Sequence, residues 1–577
     1  MSPRIEEHHD SSDKISWQAW SEDQFDMAKS QNRYILLDVE AVWCHWCHVM
    51  EKETYSNPEV VSLIQDHFIA VRVDQDARPD ISNRFEDYGW PATVIFDQKG
   101  NDLVKLRGFV EPEEMIRWLT LAVAGGIEPG SMEEDLPVVS ASDKSGLLTK
   151  DLVQELKRRH LDAYDEMHGG WGGSHRFVDQ DCLDYSFSTV SQDDWSKGRI
   201  EKTLQGLTKI VDPIWGGIYQ YSTHGDWDHP HFEKIMWMQT QAIHVFALAY
   251  QFYAQPQYLE MAKKVYEYLN QFLLSPEGVF YTSQDADLVP GEHAEDFFRL
   301  GDRARRKKGV PRIDTHVYAR ENGWAIEALA HLYGATGEKK ILDQALEAAH
   351  AIEQTHRIPL GGFRHDDRDH GSFLGDSLAM GSAFLALYVY TADRSWLQKS
   401  METMDYIQNH FLHSHQRIGG YVTSLTTIAG KKAAPDREEN VHLARYANRL
   451  FHYTGNKAFK DISLQAMKYL SIPEVAKEYF TAGVLLAHEE LSSDPTHITV
   501  VGSKSDSQAQ SLFSYALKLP LVYSRIEWKD PVEGPLPHDD VDYPALEKPA
   551  AFFCTQKTCS SPLFTVEQIQ KRMEKSE

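Results

Sequence analysis

Several things are scarce in this chain. Cysteine is one: five in 577 residues, an odd and small number that argues against a disulfide-built scaffold. Long apolar runs are another. No stretch of eighteen consecutive apolar residues occurs, so no membrane-spanning helix is expected. The opening MSPRIEEHHDSSDK lacks the apolar core of a signal peptide, and the expected compartment is the cytoplasm. Basic charge is also short, with 59 Lys and Arg against 86 Asp and Glu and a net charge of −27. That balance speaks against nucleic acid or anionic membrane as partner. One basic run, Arg303 to Lys308, opposes the trend; lying between Gly301 and Gly309 without interleaved aromatics, it reads as a solvated loop.

What is present begins with a globular composition, 42% hydrophobic and 11% aromatic, in a chain too long for a single ordinary core. The most informative stretch is Tyr34 to Met50. Tyr34–Val39 reads as a buried strand and leads into Trp43-Cys44-His45-Trp46-Cys47-His48. A C-x-x-C after a strand reads as a thioredoxin-like redox site. A sulfur at a helix start feels the partial positive charge of unpaired N–H groups, which favours the thiolate; His45 adds to this when protonated. Cys47, one turn on, stands where a resolving thiol is needed. Asp38 lies inside the apolar strand, where a carboxylate needs a partner or a role. Trp90-Pro91 opens a second apolar strand, Ala92 to Phe96. Two other readings of the cysteines remain open at this point: a zinc site from Cys44, Cys47 and His48, which lacks a second ligand pair at finger-like spacing, and a pair of inert thiols. No metal and no cofactor are expected.

The N-terminal pattern predicts a helix over 17–30, strands at 34–39, 69–74, 91–96 and 102–109, and helices after Cys44, Pro58 and Pro112: a small α/β domain over 1–125. Residues 126–146, rich in Pro, Ser, Gly and acids, read as a linker. From 147 to 495 long helical stretches dominate, punctuated by glycine followed by an aromatic: Gly169-Gly170-Trp171, Gly216-Gly217-Ile218-Tyr219, Gly278-Val279-Phe280-Tyr281, Gly361-Gly362-Phe363 and Gly419-Gly420-Tyr421. Each is expected just past a helix end, opening a short extended piece. Repeated helix pairs of this kind predict a closed (α/α)6 toroid. Residues 496–577 read as a small α/β appendage completing that domain. Cys554 and Cys559 within it are either a second redox pair or two reduced thiols.

With these residues laid out, Asp38, Trp43-Cys44-His45-Trp46-Cys47 and Trp90-Pro91 resemble a thioredoxin domain's buried acid, active-site motif and cis-proline. The whole chain resembles the family typified by YyaL and the spermatogenesis-associated thioredoxin-like protein. The match runs through Cys44 to Glu51, Val73-Asp74 with Arg78-Pro79-Asp80, Gly89-Trp90-Pro91, His231-Phe232-Glu233-Lys234, Asp285-Ala286-Asp287, Asn322-Gly323, Gly375-Asp376, and Cys554 with Cys559-Ser560-Ser561-Pro562. The resemblance implies a thioredoxin-like domain joined to a barrel of the sugar-epimerase and six-hairpin-glycosidase type. Met238, Gln284 and Glu321 depart from the family pattern, as does Arg84 to Tyr88 before the tryptophan–proline pair.

The expected activity is thiol–disulfide exchange through Cys44, Cys47, Asp38, Pro91, Trp90 and His45, with protein thiols, disulfides or a reductase as partner. His229, His231, Glu233, Asp285, Asp287, Asp376 and Glu439 are the candidate sugar-binding residues of the barrel, where convergent polar groups suit a carbohydrate. Glycosidase chemistry would need two carboxylates at a set separation, and epimerase chemistry a base and an acid. The alternatives are therefore a carbohydrate-active barrel with a regulatory thioredoxin module, or a non-enzymatic interaction scaffold.

Overall fold

A computed structural model describes residues 15–127, 147–190, 194–367, 371–413, 418–428, 431–555 and 558–574. The expected linker lies almost wholly outside these residues, as do the first fourteen. Two compact units emerge. One holds the chain up to Asp135 together with Gln284–Asp314 and Ser424–Ala433; the other holds Leu136–Ser283, Thr315–Thr423 and Ala434–Glu577.

The first unit contains α1 (Asp23–Gln31), β1 (Tyr34–Glu40), α2 (His45–Glu53), α3 (Pro58–His67), β2 (Phe68–Asp74), α4 (Pro79–Phe85), β3 (Ala92–Phe96), β4 (Asp102–Arg107) and α5 (Pro112–Val123). The strands form one sheet in the order β2-β1-β3-β4, with β1 parallel to β2 and antiparallel to β3. Central β1 reads ILLDV because both its faces are covered. Ile35, Leu37 and Val39 pack with Val71 and Val94 on one side, and Leu36 packs with Ile64, Ile95 and Met115 on the other. This is the thioredoxin-like order. The first helix is shorter than its apolar pattern predicts. Gln18 instead pairs with Val71 at the edge of β2, donating to the Ala70 carbonyl and accepting from Arg72, so strand pairing wins over helix there. The basic run is not a loop either. Asp302–Lys308 is helical, its acid at the start and its cations at the end as the helix dipole favours, and Arg305 is buried, donating to the Leu300 and Phe298 carbonyls.

In the second unit twelve helices form six pairs. They are α6 (Lys150–Asp162), α7 (Gln180–Thr189), α8 (Asp194–Lys209), α9 (Met236–Tyr253), α10 (Pro256–Tyr268), α11 (Ala319–Thr336), α12 (Lys339–His356), α13 (Leu374–Thr391), α14 (Arg394–His410), α15 (Arg437–Thr454), α16 (Lys457–Leu470) and α17 (Ala482–Ser492). Inner helices contact one another in the order α7, α9, α11, α13, α15, α17, and α17 packs back on α7. Each has one outer partner: α8, α10, α12, α14, α16 and α6 in turn. The ring is closed, an (α/α)6 toroid. Every glycine–aromatic motif forms an isolated β-bridge just after an outer helix: Tyr164 with Trp171, Val211 with Ile218, Leu274 with Phe280, Arg357 with Phe363, and Leu412 with Tyr421. Asp179, Asp393, Asp436 and Asn456 cap the helices that follow them.

The C-terminal residues add β5 (Thr496–Val501), α18 (Ser507–Ala516), β6 (Ser524–Lys529), β7 (Ala550–Thr555), β8 (Thr558–Cys559) and α19 (Val566–Glu574). Their core includes Ala392 and packs on Tyr333, Val389 and Tyr390, at the C-terminal ends of α11 and α13. Gln251 of α9 donates to the Leu517 carbonyl, and the Tyr453 hydroxyl of α15 accepts from Ile526 N–H. The appendage thus sits across the end of the ring where the inner helices finish.

Candidate functional site

Cys44 is the N-cap of α2. Its φ and ψ of −88° and 111° are extended, and its sulfur accepts a hydrogen bond from Cys47 N–H at 3.1 Å. The two cysteines are joined as a disulfide and both are buried. The bond between Trp90 and Pro91 is cis, as the resemblance implies. Trp43 stacks edge-on against Trp90 at 5.7 Å and donates from its ring nitrogen to Asp76. Trp46, the residue between His45 and Cys47, is the exposed member of the motif, at 36%.

Asp38 is buried and accepts from Arg72 Nε on Oδ2 at 3.0 Å; its Oδ1 has no hydrogen-bond partner among the described residues. Burial raises its pKa, and Arg72 only partly opposes that. Arg72 also pairs with Glu40 and Glu51 and lies 4.0 Å over the Trp17 ring.

The two histidines of the motif meet Asp285 and Asp287. His45 Nδ1 lies 2.7 Å from Asp287 Oδ1, and His48 Nδ1 lies 3.0 Å from Asp287 Oδ2. His48 Nε2 stands 3.6 Å from Asp285 Oδ2. Asp287 also accepts from Gly291 N–H, and Trp43 accepts from Ala286 N–H, so this acidic turn is tied to the motif through backbone as well as side chains. Both acids were expected among the barrel's candidates; the structure places them in the unit of the cysteines instead. Burial alone would raise Asp287, but its bonds to His45 and His48 outweigh that and hold it at about 2. Asp285, with weaker partners, is pushed by burial up to about 6. Burial works against a charged His48, yet Asp287 and Asp285 raise its pKa overall. His48, Asp285 and Asp287 also offer ligand atoms within 4.8 Å of one another, near enough to hold a cation.

These shifts set a pH window. A depressed Asp287 stabilises the fold above the unfolded carboxyl value of about 4 and loses that as pH falls to about 2. A raised His48 stabilises it below about 6.5 and loses that as pH climbs through its folded value. Asp287→Asn is therefore expected to cost most between about pH 4 and 6.5, on the order of 2 kcal/mol, and less on either side. Urea midpoints of the two proteins across pH 3–9 measure it; a pH-independent difference would refute the ion-pair reading.

The remaining expected residues lie in the toroid unit and do not form one group. His229 is exposed, with Asp226 at 2.9 Å. His231 stacks on Tyr221 at 4.3 Å, and Glu233 is buried. Asp376 and Glu439 do converge. Asp376 caps α13 and meets His365 Nδ1 at 2.8 Å; Glu439 accepts from Thr423 and, beside Gly375, shares the neighbourhood of Arg320. Burial first, then the charge of Asp436, pushes Glu439 up to about 8.

A larger polar set on the inner helices has no counterpart in the sequence reading. Trp237 of α9 lies 4.5 Å from Trp324 of α11 and 5.7 Å from His442 of α15, across the ring. Further along, His244 meets Asp184 at 2.9 Å and stacks edge-on to His331 at 4.8 Å, while Arg445 binds Asp181 and Glu490. A spacing signal exists for these residues. Arg320, Trp324, Glu327 and His331 on α11, and Glu438, His442, Arg445 and Arg449 on α15, both follow i, i+4, i+7, i+11, one stripe of a helix.

Residues 1–120 match the family Thioredox_DsbH, described as protein of unknown function, DUF255. Spermatogenesis-associated protein 20 of Mus musculus is 27% identical over 318 residues, 48% of this chain and 39% of that protein; the chain thus spans about two fifths of the length of that relative. The thiol:disulfide interchange protein DsbD of Actinobacillus pleuropneumoniae is 28% identical over 108 residues, 18% of each chain. Among solved structures, the cellobiose 2-epimerase of Bacillus thermoamylovorans B4167 aligns with a TM-score of 0.43 at 12% identity, covering 56% of this chain and 87% of that one. A D-mannose isomerase aligns at 0.46 and 12%, covering 60% and 98%. Residues 1–120 therefore match that family's model, and the chain resembles the spermatogenesis-associated proteins over its matched half. No helix of the described residues is long and apolar enough to cross a membrane.

Proposed function

We propose that the chain is a thiol–disulfide oxidoreductase working through Cys44 and Cys47. The observation that carries this reading is the seat of Cys44 at the start of α2, its sulfur already accepting a backbone N–H. The same contact stabilises a thiolate when the pair is reduced. In the exchange, the Cys44 thiolate attacks one sulfur of a substrate disulfide, forming a mixed disulfide and releasing the first substrate thiolate. Cys47 then gives up its proton and attacks Cys44 Sγ, which frees the second substrate thiol. Two electrons pass from the dithiol to the substrate, and each released sulfur gains one proton. We assign the proton of Cys47 to Asp38, a buried carboxyl that Arg72 holds through one oxygen and whose pKa burial raises. A donor dithiol restores the pair by the reverse exchange. The test is turnover of a protein disulfide by the full chain with a dithiol donor, with alkylation reporting the state of Cys44 and Cys47. One disulfide should be reduced per cycle of the pair; a pair that never changes state during turnover would overturn the reading.

A second reading concerns the ring. A pair of tryptophans, one of them facing a histidine across the axis, with the Asp–His and Arg–carboxylate pairs further along, suits the flat apolar faces and hydroxyls of a carbohydrate. Glu439, its pKa raised by burial and by Asp436, would supply an acid there. Trp324→Ala is expected to weaken binding of a mono- or oligosaccharide at least tenfold by calorimetry, leaving Cys44–Cys47 exchange unchanged. No binding by the parent chain across a broad sugar panel would sink this reading.

A further inference from the structure

The C-terminal sheet repeats the first unit's sheet. Its order is β6-β5-β7-β8, with β5 parallel to β6, β5 antiparallel to β7, and β7 antiparallel to β8. The first sheet is β2-β1-β3-β4 with the same senses at each step. In both, a helical crossover joins the central strand to its parallel neighbour (two helices, α2 and α3, in the first and α18 alone in the second), a hairpin extends the other side, and a helix closes the module.

The two differ where chemistry would sit. In the first, Cys44 caps the crossover helix; in the second, Asp506 caps α18, its carboxylate accepting from Gln508 and Ala509. The cysteines of the second module stand on its hairpin. Cys554 on β7 faces Cys559 on edge strand β8 in register, with Cα atoms 4.0 Å apart, and the two are joined as a disulfide. Cys554 is buried and Cys559 exposed.

That bond adds less to the fold than a long-range disulfide would. It closes a loop of six residues, which removes less freedom from the unfolded chain than a longer loop does, across strands already paired by their backbones. Its geometry leaves one end accessible: Cys559 is exposed to an incoming thiolate, and Cys554, behind it, is the sulfur released.

We propose that residues 496–574 form a second thioredoxin-topology module whose redox pair has moved from the helix start to the edge hairpin, and that Cys554–Cys559 exchanges with dithiols on its own. A donor thiolate attacks Cys559 Sγ, the S–S bond breaks, and the Cys554 thiolate leaves and takes a proton. The donor's second thiol loses its proton and attacks its own mixed-disulfide sulfur, releasing the Cys559 thiolate, which takes that proton. The donor is oxidised to a disulfide and the hairpin is reduced by two electrons. The fifth cysteine, Cys182, is buried in α7, and burial pushes its thiol well up, so it does not compete.

The test uses the full chain carrying Cys44→Ser and Cys47→Ser, so that it is independent of the first pair. The protein is equilibrated with reduced and oxidised glutathione at graded ratios, then alkylated and mapped by mass. Cys554 and Cys559 should pass together from disulfide to dithiol within those ratios. Adding Cys554→Ser should give glutathionylation at Cys559 about tenfold or more faster than at Cys182. The melting temperature should fall by no more than a few degrees when the hairpin is reduced. A bond that persists through excess native dithiol, a pair that stays as thiols in oxidised glutathione, or a marked loss of melting temperature on reduction would each overturn the proposal.

Discussion

Cys44→Ser should abolish disulfide reduction, lowering turnover by about 10³-fold or more, to the rate of the donor dithiol alone. The argument is chemical, not structural. A serine hydroxyl at neutral pH is almost never the alkoxide, and no C–S–S–C intermediate can form on it. The fold gives the substitution no reason to fail. Serine is among the preferred helix N-caps, and its oxygen can accept the Cys47 N–H that the sulfur accepts now. Loss of activity with α2 intact would therefore report the nucleophile. Cys47→Ser should behave differently: the first attack survives, the mixed disulfide on Cys44 cannot be resolved, and it accumulates in proportion to substrate. If instead Cys47→Ser abolished the first attack while Cys44→Ser trapped a mixed disulfide on Cys47, the roles of the two sulfurs would be reversed. Equal activity of both variants with the parent would remove the exchange reaction from this site altogether.

The motif was legible because its parts are contiguous. A strand, two cysteines and a helix start follow one another within seventeen residues, and the glycine–aromatic loops announce themselves in the same local way. The acids that complete the site were visible as residues but not as partners. Asp287 is 242 positions from His45, and nothing in local pattern says which unit an acidic turn among helices will join. The ring's inner stripe was hidden for another reason. Helices such as α9 and α13 are apolar almost all round, so periodicity gives no inward face to read. Only α11 and α15, with polar groups repeating at four and three residues, betray theirs. The helix expected over 17–30 fails at its start because backbone pairing with β2 satisfies Gln18 better than a helical turn would.

Lys234→Met should destabilise the toroid unit by about 3–5 kcal/mol, the usual cost of leaving a buried charge without its partner. Lys234 and Asp212 are both fully buried, 2.8 Å apart, and Nζ also donates to the Gly216 carbonyl and sits 4.5 Å from the Tyr268 ring. Asp212 does more than pair. Its Oδ1 accepts from Ile214 and Trp215, and its backbone exchanges bonds with Gly216 and Gly217, both at positive φ. A Cβ at Gly216 would come within 2.2 Å of the Lys264 carbonyl, so glycine is required there. Asp165 does the same for Gly169 and Gly170, with Arg176 in place of the lysine, so one carboxylate–cation clamp serves two of the ring's loops. Because the loop needs Oδ1 and the charge needs only Oδ2, the two roles separate. Asp212→Asn keeps the turn but strands the lysine, and should cost about as much as Lys234→Met. The double variant removes both charges while keeping the turn, and should lose clearly less than the sum of the two single losses. Urea midpoints followed by helical signal would measure this; single losses that add in full would mean that the pair contributes nothing through its charge.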